Sequence, residues 1–154
     1  MGDILTLFLK EQPNCELLGF SWQPLNVVTS LLFFFIAYKI YKSKNNDSLN
    51  KILSIALFLS GAGSLLHHLL PNDSTLLFDI IPLVIITIIG LIAIIKNYNP
   101  KNSFLYLSIS LMLILALSAF FLDIPLCQMI PTGTHFLWHI TMAYVILMLS
   151  TVTQ

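Results

Sequence analysis

The sequence predicts an all-α, polytopic transmembrane helix bundle of about five spans, with the N-terminus outside and the C-terminus cytoplasmic. Three observations carry that expectation. The first is composition: 57% of residues are hydrophobic and 9% charged, against roughly 25% charged in soluble domains. A soluble fold of 154 residues could not cover itself with so few polar side chains. The second is five separate apolar runs, each long enough at ~1.5 Å per residue to cross the ~30 Å hydrocarbon core. The third is lysine placement. There is no arginine, and six of the seven lysines flank alternate loops: Lys39, Lys42, Lys44 and Lys51 around the first, Lys96 and Lys101 around the third. The second and fourth loops carry Asp73 and Asp123 and no lysine. The positive-inside rule sets the orientation from that asymmetry, with Lys10 the one dissenter. Zero net charge leaves a nucleic-acid partner without electrostatic support.

In chain order, residues 1–21 are a polar lead holding Pro13, Cys15 and Glu16. No secretory signal is predicted, because Ile4 to Leu9 is short, lacks a basic flank and runs into Lys10. The spans are expected at about 22–41, 50–70, 75–95, 103–122 and 133–150, in a single domain over 1–154. Pro24 falls in the first turn of the first span, where its missing N–H does no harm. Pro71-Asn72-Asp73 reads as the turn that closes the second span.

Against this apolar background a few polar residues stand out. Ionisable groups inside membrane helices are costly and mark functional sites by default. Ser64 and His68 are four residues apart in the second span, and His135 and His139 are four apart in the fifth, so each pair shares a helix face. The predicted topology places His68, Asp79, His135 and His139 in one layer, in the extracytoplasmic half of the bundle. Three histidines meeting across two helices, with a position left for water, make the ligand set of a catalytic zinc site. The bland alternative is histidines that hydrogen-bond between helices. The i, i+4 pair, and Ser64 and Asp79 at matching depth, shift the balance to metal. His67 faces another way and reads as a packing or interfacial residue. Trp22 and Trp138 suit the membrane interface, with Trp138 also able to pack at the site. Cys15 and Cys127 both fall outside the cytoplasm in this topology, where disulfides persist, so a bond between them is expected over two free thiols.

The residues Gly61, Gly63, Ser64 and His68, then Asp79 and Pro82, then His135, Trp138 and His139 read GxGSxxxH, D-x-x-P and HxxWH. This pattern resembles the alkaline ceramidase family, part of the wider group of membrane hydrolases and receptors that includes the adiponectin receptors. Cys15-Glu16 and Trp22-Gln23-Pro24-Leu25-Asn26 are similar to that family's N-terminal elements. The resemblance implies that His68, His135 and His139 hold Zn2+, with Ser64 and Asp79 beside the water that the metal activates. It departs in two places. The family's bundle has seven helices and five are predicted here, which leaves the lipid cavity smaller, open, or completed by a second copy in a homo-oligomer. Gln23 stands where eukaryotic relatives have an acidic calcium ligand, so a calcium site is not carried over.

The function expected on these grounds is zinc-dependent hydrolysis of the amide bond of a ceramide-like or other N-acyl lipid. Asp79 would act as the base, and Ser64 would hydrogen-bond the oxyanion or the water. Two alternatives stand beside it: a non-enzymatic lipid-binding or receptor-like protein with structural zinc, and a b-type haem protein.

Overall fold

The computed structural model describes Cys15, residues 22–43 and residues 48–152. Lys10, Glu16 and Lys44 lie outside these residues. Five helices are long and apolar enough to cross a membrane: α1 Pro24–Tyr41, α2 Ser48–Leu69, α3 Asp73–Lys96, α4 Ser103–Phe121 and α5 His135–Val152. There is no strand among the described residues. The expected five-span, all-helical bundle is the observed architecture, and the chain is a multi-pass membrane protein.

The helix ends differ from expectation by one or two residues, for local reasons. α1 begins at Pro24 rather than Trp22, with the proline in the first turn. α2 runs from Ser48 to Leu69, starting two residues early. α3 starts at Asp73 rather than Thr75 because Asn72 caps it. The Asn72 side chain accepts from the Thr75 N–H at 3.0 Å, and the Thr75 hydroxyl oxygen accepts from the Asn72 N–H at 3.1 Å. Pro82 lies inside α3. A 3-10 turn over Pro100–Asn102 leads into α4, which ends at Phe121. α5 begins at His135 rather than Gly133, because Gly133 sits at φ 68°, in the left-handed region.

α2 packs against both α1 and α3, and α5 comes back to touch α1 and α3, closing a ring of four helices. α4 packs chiefly on α5, outside that ring. Burial follows the arrangement: 56% of the spanning window is buried in α2 and in α5, but only 17% in the α4 segment. The core is built from Phe33, Ile40, Leu53, Leu57, Ile86 and Ile146. Outward-facing Leu, Ile and Phe side chains cover every helix. In water they would form apolar patches far larger than a monomer tolerates; in a bilayer they are the lipid-facing surface.

Small residues bring the helix backbones together, as is usual where lipid offers no hydrophobic drive to association. The decisive position is Gly63. A Cβ built there would overlap the backbone carbonyl of Phe78 and lie 3.0 Å from the Asp79 nitrogen. α2 and α3 therefore touch backbone to backbone at this level, and the following residue on each helix, Ser64 and Asp79, is carried into the same small space.

Candidate metal centre

α1 supplies the wall on which the site is built. Asn26, Ser30, Phe33, Ala37 and Ile40 are its buried face, so the polar part of the stripe lies at one end and the apolar part at the other. Gln23, just before the helix, is also buried. The polar end faces His68 on α2 and His139 on α5.

Each of these histidines is gripped at Nδ1. His68 Nδ1 lies 2.7 Å from Gln23 Oε1, which can only accept, so Nδ1 carries the proton. His139 Nδ1 lies 2.9 Å from the Thr29 hydroxyl. That hydroxyl donates its single proton to the Leu25 carbonyl at 2.8 Å and so accepts from His139. Both imidazoles are thereby set in the tautomer that leaves Nε2 with a lone pair. The two Nε2 atoms are 3.1 Å apart. Two nitrogens bound at ~2.0–2.1 Å to one tetrahedral ion would be separated by about 3.3 Å. Two lone pairs facing each other at this distance repel, and a shared cation is what such a pair accommodates.

His135, one turn before His139, completes the cluster. Its ring contacts those of His68, His139 and Phe120, with centroids 5.3, 5.1 and 5.5 Å away. One ligand atom from each of His68, His135 and His139 falls within 4.8 Å of the others, and all three residues are buried. Three buried histidines can hold a metal ion here; the donor set fits one, in ligand type and in the facing lone pairs.

Ser64 lies between this cluster and Asp79. Its hydroxyl is 3.0 Å from Ser30 Oγ and 3.3 Å from His139 Nε2, and it is the side chain through which α2 acts on the Asp79 carboxyl. Asp79 is buried, and its Oδ1 has no hydrogen-bond partner among the described residues. A buried carboxyl oxygen left without a partner costs free energy and calls for a ligand or water. The expected layer is thus assembled: three histidines, with Ser64 and Asp79 beside them.

His67 is not in the cluster. Its Nδ1 lies 3.1 Å from the Thr75 hydroxyl, so it braces the α2–α3 hairpin, as its position one residue round the helix suggested. Trp138 is half-buried and packs on Phe120 at 5.5 Å, and Trp22 is exposed. Cys15 and Cys127 form the expected disulfide.

Sequence reasoning missed four contributors. Gln23 was weighed only as a departure from a calcium ligand, and here it orients His68. Thr29 and Ser30 were not singled out, although Gln23, Asn26 and Ser30 repeat at helical spacing in an otherwise apolar segment, which was the available signal. Asp123 was counted only as a loop charge. Its Oδ1 accepts from the backbone N–H groups of Thr134 and His135, at 2.6 and 2.8 Å. Compared with known protein families, with curated proteins and with solved structures, the chain matches none.

Proposed function

We propose that the chain is a zinc-dependent intramembrane amidase that cleaves the amide bond of a ceramide-like or other N-acyl lipid, giving a fatty acid and a free amine. The observation that carries this reading is the pairing of two features in one buried layer. One is the set of imidazoles whose lone pairs face one another. The other is a carboxyl oxygen with no hydrogen-bond partner among the described residues, with the Ser64 hydroxyl beside both.

His68, His135 and His139 would hold the ion. Bound zinc supplies Lewis acidity, polarising an amide carbonyl and acidifying water toward a pKa of about 7. The chain's own residues supply the rest. Asp79 would take the proton from the attacking water and return it to the leaving amine. Ser64 has one hydroxyl proton and can direct it to the charge that develops on the amide oxygen. Gln23 and Thr29 keep His68 and His139 in the tautomer and orientation that ligation requires. The surrounding helices keep bulk water from the layer.

The lipid part of the substrate has a place beside this layer. An apolar cleft of about 390 Å³ opens laterally between α1, α4 and α5, lined by Leu32, Phe35, Met112, Ile140 and Tyr144. Leu32 lies one turn beyond Thr29, and Ile140 follows His139 directly. An acyl chain laid in the cleft would carry its amide toward the metal layer. On the lysine distribution that layer faces the extracytoplasmic side. The resemblance of the Ser64–His68, Asp79 and His135–His139 motifs to alkaline ceramidases points to the same substrate class. The haem alternative fits poorly, because the gap between the His68 and His139 nitrogens is too narrow for a macrocycle carrying one axial nitrogen on each face.

The test is metal analysis of purified protein followed by release of fatty acid from a panel of N-acyl lipids. One zinc per chain and hydrolysis that falls ~100-fold or more in Asp79→Asn with zinc retained are expected. Ser64→Ala should also keep zinc and lose roughly 10²-fold in rate. Zinc without turnover of any N-acyl lipid would favour the receptor-like alternative instead.

A further inference from the structure

Asp123 is a buried carboxylate, 2% exposed, on the single helical turn Asp123–Leu126 that follows α4. Among the described residues, the hydrogen bonds of its carboxylate go to backbone N–H groups of distant segments, and its charge also acts on the His135 ring. Oδ1 accepts from Thr134 and His135, and Oδ2 accepts from Cys15 at 3.1 Å. The first N–H groups of a helix have no partner within it, and an anion there is favoured by the helix dipole as well as by hydrogen bonding. Asp123 therefore caps α5 from outside the local sequence, in place of the side chain just before the helix that usually does so. The adjoining Thr134 turns its hydroxyl toward α4 instead, donating to the Ala119 carbonyl at 2.7 Å. The geometry admits the carboxylate only because residue 133 is glycine: a Cβ there would overlap Asp123 Oδ1 and lie 2.7 Å from the Cys15 Cβ. Four residues after Asp123, Cys127 is bonded to Cys15. One carboxylate thus joins the disulfide to the first residue of α5, and that residue is His135.

We propose that Asp123 is a positioning residue for the metal centre: by capping α5 at His135 it fixes where the His135 imidazole enters the ligand set, and it anchors that position to the Cys15–Cys127 bridge. This rests on the reading of His135 as a metal ligand. The ring of His135 has no hydrogen-bond partner among the described residues, unlike those of His68 and His139. Its placement depends on the backbone from which it projects, and Asp123 sets that backbone.

The experiment measures Zn2+ affinity by chelator competition on full-length, zinc-depleted protein in detergent micelles, with no substrate present. Asp123→Ala is expected to weaken binding 10- to 100-fold, the usual loss when a group that orients a metal ligand is removed. Asp123→Asn keeps a carbonyl oxygen for the Thr134 and His135 N–H groups and should restore most of the affinity. In a His135→Ala background, Asp123→Ala should cost little more, because its effect runs through that ligand. A purely structural role predicts instead the same loss in both backgrounds, and that result would overturn the proposal, as would wild-type affinity in Asp123→Ala. Should Asp123→Ala fail to fold, hydrogen exchange of the wild type decides. Zinc must then slow exchange at the Thr134 and His135 amides, and unchanged exchange at both sinks the idea. A wild type that takes up no zinc overturns the metal reading and this proposal together, whereas zinc uptake with no response to Asp123→Ala overturns this proposal alone.

Discussion

The three histidines of the site are held in two different ways. His68 and His139 are clamped through their rings: a side chain on or next to α1 takes each Nδ1 proton, and both Nε2 atoms are turned toward each other. His135 is held through its backbone, by a carboxylate on the far side of the α4–α5 connection, and its ring meets only other rings among the described residues. The first arrangement needs three helices packed in register. The second needs a loop, a glycine and a disulfide. The difference teaches that two of the histidines are built into the packed interior, while the third is placed by the edge of the bundle, where helix α5 begins.

The largest effects expected from this contrast come from removing ligands. His68→Ala and His139→Ala each destroy the facing pair, and both should lose zinc through desalting. His135→Ala leaves the pair intact and should retain weaker binding that excess zinc restores. Elemental analysis before and after desalting, at several zinc concentrations, makes the comparison. Equal retention in all three variants would erase the distinction between the two halves.

The legible parts of this site were those written at short range. Ser64 with His68, and His135 with His139, are i, i+4 pairs whose shared face follows from helical geometry alone. Their common depth followed from counting spans, and the lipid-soluble background made each polar residue conspicuous. What could not be read were contacts made between distant segments. Thr29 reaches His139 only because α1 packs on α5, and no local pattern states that pairing. Gln23 was visible as an oddity, but its partner, 45 residues away, was not. Asp123 looked like an ordinary loop acid, because a cap supplied from another segment leaves none of the usual signature before the helix. α5 starts two residues later than the sequence suggests, because Gly133 takes a left-handed φ that the apolar pattern does not reveal.

Intermediate effects should come from the α1 clamps. Gln23→Leu keeps the volume but removes the acceptor that His68 Nδ1–H meets, and Thr29→Val removes the hydroxyl beside His139 Nδ1, leaving the Asn26 backbone as its neighbour. Each should weaken zinc binding 10- to 100-fold, as loss of the partner that orients a histidine ligand typically does. Gln23→Glu tests the sign. A carboxylate in place of the amide oxygen still accepts from Nδ1 and raises the basicity of the ring, so zinc affinity should hold or rise. Chelator competition on the four proteins would check the order. A loss in Gln23→Glu as large as that in Gln23→Leu would mean that the amide serves some other purpose than orienting His68.

The smallest effect should come from opening the bridge that backs the His135 half. In Cys15→Ser combined with Cys127→Ser, Asp123 keeps its bonds to the Thr134 and His135 N–H groups, because these arise within residues 123–135 and do not involve the cysteines. What slackens is the third bond, from the Cys15 N–H to Oδ2, since residue 15 is no longer tied to residue 127. The loss is then worth about one hydrogen bond, ~0.5–1.5 kcal/mol, or roughly 2- to 10-fold in zinc affinity. It should fall below that of Asp123→Ala and leave the His68–His139 pair untouched. Cobalt substitution separates the two halves: the visible bands report the whole ligand set, and a His135-specific change should reappear in Asp123→Ala with larger amplitude. If the double serine variant loses more affinity than Asp123→Ala, the bridge acts on the site by a route that bypasses the cap, and the division between ring-held and backbone-held ligands must be redrawn.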